Sequence, residues 1–92
     1  MVKVVFRDRV NSPYPIAGIG TLNIPENESI SRHVGCTVPF TLTAYYADAP
    51  LKLHSQGVVA RSGTAEFYEF EIVELDGDGK VGHLRVLSEV EG

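Results

Sequence analysis

The chain has 92 residues, 43% hydrophobic and 22% charged, with 12 acidic against 8 basic side chains and a formal net charge of −4. That is one domain, residues 1–92, long enough to bury a core and too apolar to be disordered. The negative balance weighs against non-specific binding to nucleic acid, the lack of any apolar run near ~20 residues against a membrane helix, and the single Cys36 against a disulfide framework.

The opening stretch "MVKVVFRDR" is too short in its apolar part for a signal peptide and has no small-residue cleavage site. A cytoplasmic protein is the expectation. The same stretch alternates, with Val2, Val4 and Phe6 on one side and Lys3, Arg7 and Arg9 on the other, which is the period of a half-buried strand. "NSPYP" breaks any ladder with two prolines. "IAGIGTLNI" resumes a strand, and Gly18 and Gly20 in it predict a bend or the close approach of another backbone. "GIG" lacks the third glycine of a dinucleotide fingerprint, and no helix follows it.

Residues 25–34 carry helix signals: Pro25 at a first helical position, Glu26 and Glu28 early, Arg32 and His33 late, Gly35 just beyond. Serine and asparagine are weak helix formers, so one short helix or helical turn is expected here, with Ile30 and Val34 on one face. "TVPFTLTAYYA" then alternates as a strand, with Val38, Phe40, Leu42, Ala44 and Tyr46 inward and Tyr45 outward. Pro39 belongs at an edge, a bulge or among the first residues. "LKLHS" continues the alternation with Leu51 and Leu53 inward, and a bulge at Gly57 accounts for Val58 and Val59 both being apolar.

"TAEFYEFEIVEL" is the strongest strand, with Tyr68, Phe70 and Ile72 facing one way and Glu69 and Glu71 the other. It leads into "DGDGK" and the last strand, "VGHLRVLSEV". A loop Gly77-Asp78-Gly79 pairs Asp76 with Lys80, Leu75 with Val81, Ile72 with Leu84, Glu71 with Arg85 and Phe70 with Val86, so that apolar meets apolar. Read instead as a calcium loop, the stretch puts the cation Lys80 at the fifth ligand position and lacks the later glutamate.

The elements therefore predict an all-β fold: a small antiparallel barrel or compact sandwich of about six strands in a meander, with at most one short helix near 25–34. Chemistry-bearing patterns are sparse. "HVGC" spaces His33 and Cys36 as zinc ligands could be spaced, yet only one thiolate is available, and His54 and His83 lie at outward positions on other hairpins. Glu69 and Glu71 share a face, but Glu71 already has Arg85 opposite. Lys3, Arg7 and Arg9 make a basic stripe with no second basic strand beside it.

No catalytic, cofactor-binding or metal-binding residue is assigned from these patterns, and no cofactor is expected. The outward aromatic and aliphatic positions are more telling: Tyr45, Phe67, Val73 and Leu87 make the outer side too apolar for plain solvent surface. The reading is a non-catalytic protein-interaction module, its candidate partner-binding face made of Tyr45, Phe67, Glu69 and Leu87, with a protein partner or a second copy as the homo-oligomeric occupant. The alternative is a small-ligand-binding β-barrel with its pocket in the barrel mouth near Tyr14, Tyr46 and His33.

Overall fold

The computed structural model describes residues 1–8, 15–45, 51–76 and 78–90. Six strands alternate as the periodicity requires: β1 (Val2–Arg7), β2 (Ile16–Leu22), β3 (Thr37–Tyr45), β4 (Gln56–Arg61), β5 (Phe67–Leu75) and β6 (Val81–Val90). One 3₁₀ turn, Ile30–His33, lies between β2 and β3. All pairs are antiparallel and close a barrel in the order β1-β2-β3-β6-β5-β4.

The expected meander holds in two halves. β1-β2-β3 and β4-β5-β6 are each hairpin-linked, but β3 and β4 do not pair; the chain crosses from one half to the other, so β3 meets β6 and β1 meets β4. This order leaves neither half with an open outer strand, because the edges that two separate three-stranded sheets would expose are consumed in joining them. A sandwich is thereby ruled out.

The barrel interior is filled by side chains. Phe6, Phe40 and Phe70 are fully buried at its centre, with the Phe6 ring 5.8 Å from Phe40 and 5.7 Å from Phe70, the latter edge-on. Val2, Val4, Leu22, Val38, Val59, Ile72, Leu84 and Val86 surround them. Ile24 and Ile30, from the β2–β3 connection, join the same core, while Tyr45, Leu51 and Leu75 pack against it. Among the described residues no helix is long and apolar enough to cross a membrane.

Glycines mark where strands come too close for a side chain. A Cβ on Gly20 would lie 2.0 Å from the Thr41 carbonyl oxygen, and one on Gly18 2.9 Å from that of Ala44, the close approach expected of this stretch. Gly57 sits in a regular register opposite Phe70, with no bulge; its missing side chain leaves room for the Phe70 ring, 3.2 Å from where a Cβ would stand. Val58 and Val59 still alternate across the sheet, and both are buried because the outer side of β4 is covered too.

The 3₁₀ turn starts later than the helix signals imply. Its N-cap is Ser29, whose Oγ accepts the Ser31 amide at 3.2 Å, and Pro25 stands outside it. Four residues are too few to bring Ile30 and Val34 onto one face, and Val34 is exposed. Pro39 is the third residue of β3; its carbonyl accepts Asn23 N–H, so its missing donor falls just past the end of β2. Leu53 does not point inward. Lys52 to Ser55 form a turn closed by Ser55 N–H to the Lys52 carbonyl, and Leu53 is 51% exposed.

The β5–β6 hairpin keeps the expected centre by an unexpected route. Phe70 pairs with Val86, Glu71 with Arg85 and Ile72 with Leu84, as the register argument requires. Nearer the turn, however, Leu75 pairs with Gly82 and Asp76 N–H donates to the Val81 carbonyl, so the loop is one residue longer than three. A bulge between Ile72 and Glu74 takes up the difference at Val73 and restores the face assignment. Gly79 adopts φ +72°, and its N–H donates to both the carbonyl and Oδ1 of Asp76, the local chemistry expected of a turn.

Candidate functional site

With the interior full, any binding must use the outside of the barrel or its ends. Following the outward residues across paired strands gives one continuous rung: Val90, Phe67, Ala60, Val5, Ile19, Ala44. All six are apolar. At about 4.8 Å per strand the rung runs roughly 24 Å. Since Thr41 pairs with Val81, Ala44 ends beyond the opposite end of β6 from Val90, and the rung is a spiral around the barrel. A sheet whose other face is the core is expected to turn polar residues outward, and this rung does not.

Exposure divides the rung. Ala60 is 2% exposed, and Val58 on the next rung, between Arg7 and Glu69, is fully buried. Phe67 is half-buried, with the Arg7 guanidinium 5.9 Å from its ring centroid, a cation–π contact that covers it. Ile19 is 37% exposed and Ile16 41%, while Val5 and Ala44 beside them are half-buried like Phe67. The accessible apolar patch therefore lies on β1, β2 and the end of β3.

The four residues expected to form a partner face do not form one. Tyr45 turns inward, packs on the core and donates its hydroxyl to the Gly79 carbonyl. The cause is a bulge: Ile19 pairs with Ala44 and Gly20 with Leu42, so Thr43 is the extra residue and parity flips after it. Phe67 and Glu69 do lie outward on β5, both half-buried. Leu87 sits at a second β6 irregularity, where β6 spends one more residue than β5 between the Tyr68–Glu89 and Phe70–Val86 pairs. Val5, Ile16 and Ile19 went unread because Val5 was masked by the inward run Val2, Val4, Phe6, and because the glycines of β2 obscured which isoleucine faces out.

Charge is also divided. β1, β2, β3 and β4, contiguous in the barrel, contain no aspartate or glutamate, while β5 carries Glu69, Glu71 and Glu74. Each histidine stands beside a glutamate: His33 Nε2 is 2.9 Å from Glu28, His54 Nδ1 3.6 Å from Glu71, and His83 Nδ1 3.6 Å from Glu74. Glu71 also accepts Gln56 Nε2 at 3.0 Å; that hydrogen bond, helped by His54 and the charge of Arg85, holds its carboxyl below the usual range. His54 is the one described non-glycine residue with a left-handed backbone, φ 69°.

At the end where the 3₁₀ turn packs, Ser29, Ile30, Arg61, Thr64, Glu66 and Tyr68 line a small depression of about 40 Å³, open to solvent. Arg61 in it donates to the Glu26 carbonyl. Burial, then the charges of Glu89 and Glu66, push the Tyr68 hydroxyl above its usual value against hydrogen bonds with Ser31 and Ser29. Cys36 is exposed and His33 faces Glu28, so "HVGC" does not converge; among the described residues no three of His, Cys, Asp and Glu gather as metal ligands. The other two residues of the supposed barrel-mouth pocket, Tyr14 and Tyr46, lie outside the described residues. Compared with protein-family models, with curated proteins and with solved structures, the chain matches none.

Proposed function

We propose that this chain is a non-catalytic protein-interaction module that binds through the outer surface of its barrel. The observation that carries the reading is the uninterrupted apolar rung, together with the exposed Ile16 and Ile19 beside half-buried Val5 and Ala44. Aliphatic side chains on the solvent side of a closed sheet leave apolar area in water at about 25 cal/mol per Å², a cost that a partner's surface removes. The ligand-binding alternative draws no support from the barrel's centre, where three phenylalanines occupy the space a ligand would need.

The test is site-specific photocrosslinking in cells that produce the protein. A benzophenone side chain at position 19 is expected to yield a discrete protein adduct, and one at Thr37, outward on the polar side of β3, to yield none. Absence of any discrete adduct from position 19, with the protein folded, would refute the reading.

A further inference from the structure

The strand order is the same seen from either half. Moving β1, β2 and β3 onto β4, β5 and β6 turns β1-β2-β3-β6-β5-β4 into itself run backwards, the relation of a two-fold axis across the barrel. The registers obey that axis. Phe6 pairs with Gly18, Val4 with Gly20 and Leu22 with Phe40 in the first half; Val59 pairs with Tyr68, Gly57 with Phe70 and Ile72 with Leu84 in the second. The junctions between the halves map onto themselves. Val5–Ala60 exchanges with Arg7–Val58 about the pair Phe6–Val59, and Val38–Leu84 with Phe40–Gly82 about Pro39–His83.

Strand order alone does not oblige the irregularities to match, yet they do. Between Leu42 and Tyr45, β3 spends two residues where β2 has only Ile19; between Val86 and Glu89, β6 spends two where β5 has only Glu69. β3 and β6 are each entered through a left-handed glycine, Gly35 at φ +84° and Gly79 at φ +72°. The residue after each glycine accepts across the junction: the Cys36 carbonyl from Val86 N–H, the Lys80 carbonyl from Leu42 N–H. A bulge and a positive-φ glycine are specific local choices, and their recurrence at equivalent places marks one unit built twice. Apart from these glycines and Val5 with Val58, no equivalent residues named here are identical, so the repeat does not show as sequence.

The two units differ most where they meet. The first has Phe6 and Val4 on its leading strand and Gly18 and Gly20 on its middle one; the second has Val59 and Gly57, then Tyr68 and Phe70. Large faces small across the barrel: Phe6 pairs with Val59, and its ring meets that of Phe70 edge-on. Two first units would set Phe6 against Phe6 and leave the place of Phe70 empty on both sides. Two second units would crowd in Tyr68 and Phe70 twice. Each mismatch is costly in a packed core.

We propose that this chain is two copies of one three-stranded unit fused in tandem, diverged into complementary partners, so that each half recognises the opposite half, its own or a second copy's, without the crossing that joins them. The crossing, residues 46–55, serves to hold the halves at high effective concentration. Exchange of halves between copies is then open to the protein, since a second copy offers the same two junctions. This holds whichever outer face binds a partner.

The test uses the full chain with a protease site inserted between Ala47 and Asp48, its amide spectrum compared with that of wild type before cutting. After the cut the two fragments are expected to stay together as one barrel by native mass spectrometry, with a Tm that now rises with protein concentration. An isotope-labelled cut sample and an unlabelled one, mixed in urea and diluted together, should return barrels that pair first halves with second halves regardless of label. Like-with-like complexes should stay below about a tenth of these, since one large-to-small mismatch already exceeds a tenfold loss of affinity.

Fragments that part and lose their dispersed spectrum on cutting, or that do not reassemble from urea, overturn the proposal; so do like-with-like complexes as abundant as the mixed ones. Should the inserted chain itself not fold, a permuted chain decides: residues 48–92, a Gly/Ser linker, then residues 1–47. It is expected to fold with the wild-type amide contacts between Phe6 and Val59, and an unfolded permuted chain overturns the proposal.

Discussion

Replacing Phe6 by leucine tests whether the barrel interior is closed to ligands. Phe6 is fully buried and touches both other core rings, at 5.8 and 5.7 Å. Each such ring pair is worth about 0.5–1.5 kcal/mol beyond area burial, so leucine, which keeps most of the volume, forfeits about 2 kcal/mol. A domain of this length holds roughly 5–14 kcal/mol in all, and each kcal/mol corresponds to about 4–8 °C. Calorimetry should therefore show a Tm lower by about 8–16 °C.

Phe6→Ala goes further, costing about 3–5 kcal/mol and leaving a dry apolar void. Indole or benzene should then raise the Tm of the alanine variant and leave the wild type unmoved, since a ligand stabilises only the state that has room for it. A leucine variant melting within about 2 °C of wild type, or a wild type itself stabilised by indole, would refute the claim that the three rings fill the barrel.

Three further outcomes follow from the same contacts. Tyr45→Phe removes the hydroxyl donated to the Gly79 carbonyl and should cost about 1 kcal/mol by denaturant titration. Burial, with the charge of Asp76, raises the Tyr45 pKa, so the native state favours the neutral phenol; that stability is complete below the unfolded value of 10.0 and is lost as pH rises beyond it, and the alkaline loss should be smaller in the phenylalanine variant. Glu71 behaves oppositely: its pKa is lowered, so its contribution is present above the unfolded value of 4.5 and lost as pH falls through the native one, and Glu71→Gln should flatten the acid side of a Tm-against-pH curve. Gly20→Ala forces a Cβ to within 2.0 Å of the Thr41 carbonyl and should destabilise by about 2 kcal/mol or more, whereas Gly63→Ala, with open space and only φ +85° against it, should cost about 1–2 kcal/mol.

Strand content and the inward face were legible because both are local. Val2, Val4 and Phe6, then Val38, Phe40 and Leu42, then Tyr68, Phe70 and Ile72 repeat with period two, and all are buried. Even the cross-strand partners of Phe70, Glu71 and Ile72 could be read, since a slip of one residue would have put Arg85 in the core. Strand order could not. Nothing in the pattern of β3 or β4 tells whether they pair with each other or with β6 and β1; that is decided by which arrangement closes the barrel, a property of all six strands together.

The outer surface was harder for a definite physical reason. Bulges add one residue and invert the parity of everything that follows, and the sequence carries no mark at Thr43 or Val73 to announce them. Core residues survive this uncertainty because burial pulls each apolar side chain to the inside wherever the register permits. Tyr45 shows it: the bulge at Thr43 lets the larger side chain turn inward and leaves the small Ala44 facing out. Outward residues have no such restoring force, so errors of parity accumulate on the face where binding is proposed. The acid-free run of β1 to β4 does not depend on parity at all, being a property of whole strands. It becomes an arc only because the barrel order places those four strands side by side. The separation of charge is written in the sequence, but its meaning as a surface waits on the one crossing, from β3 to β4, that the sequence does not disclose.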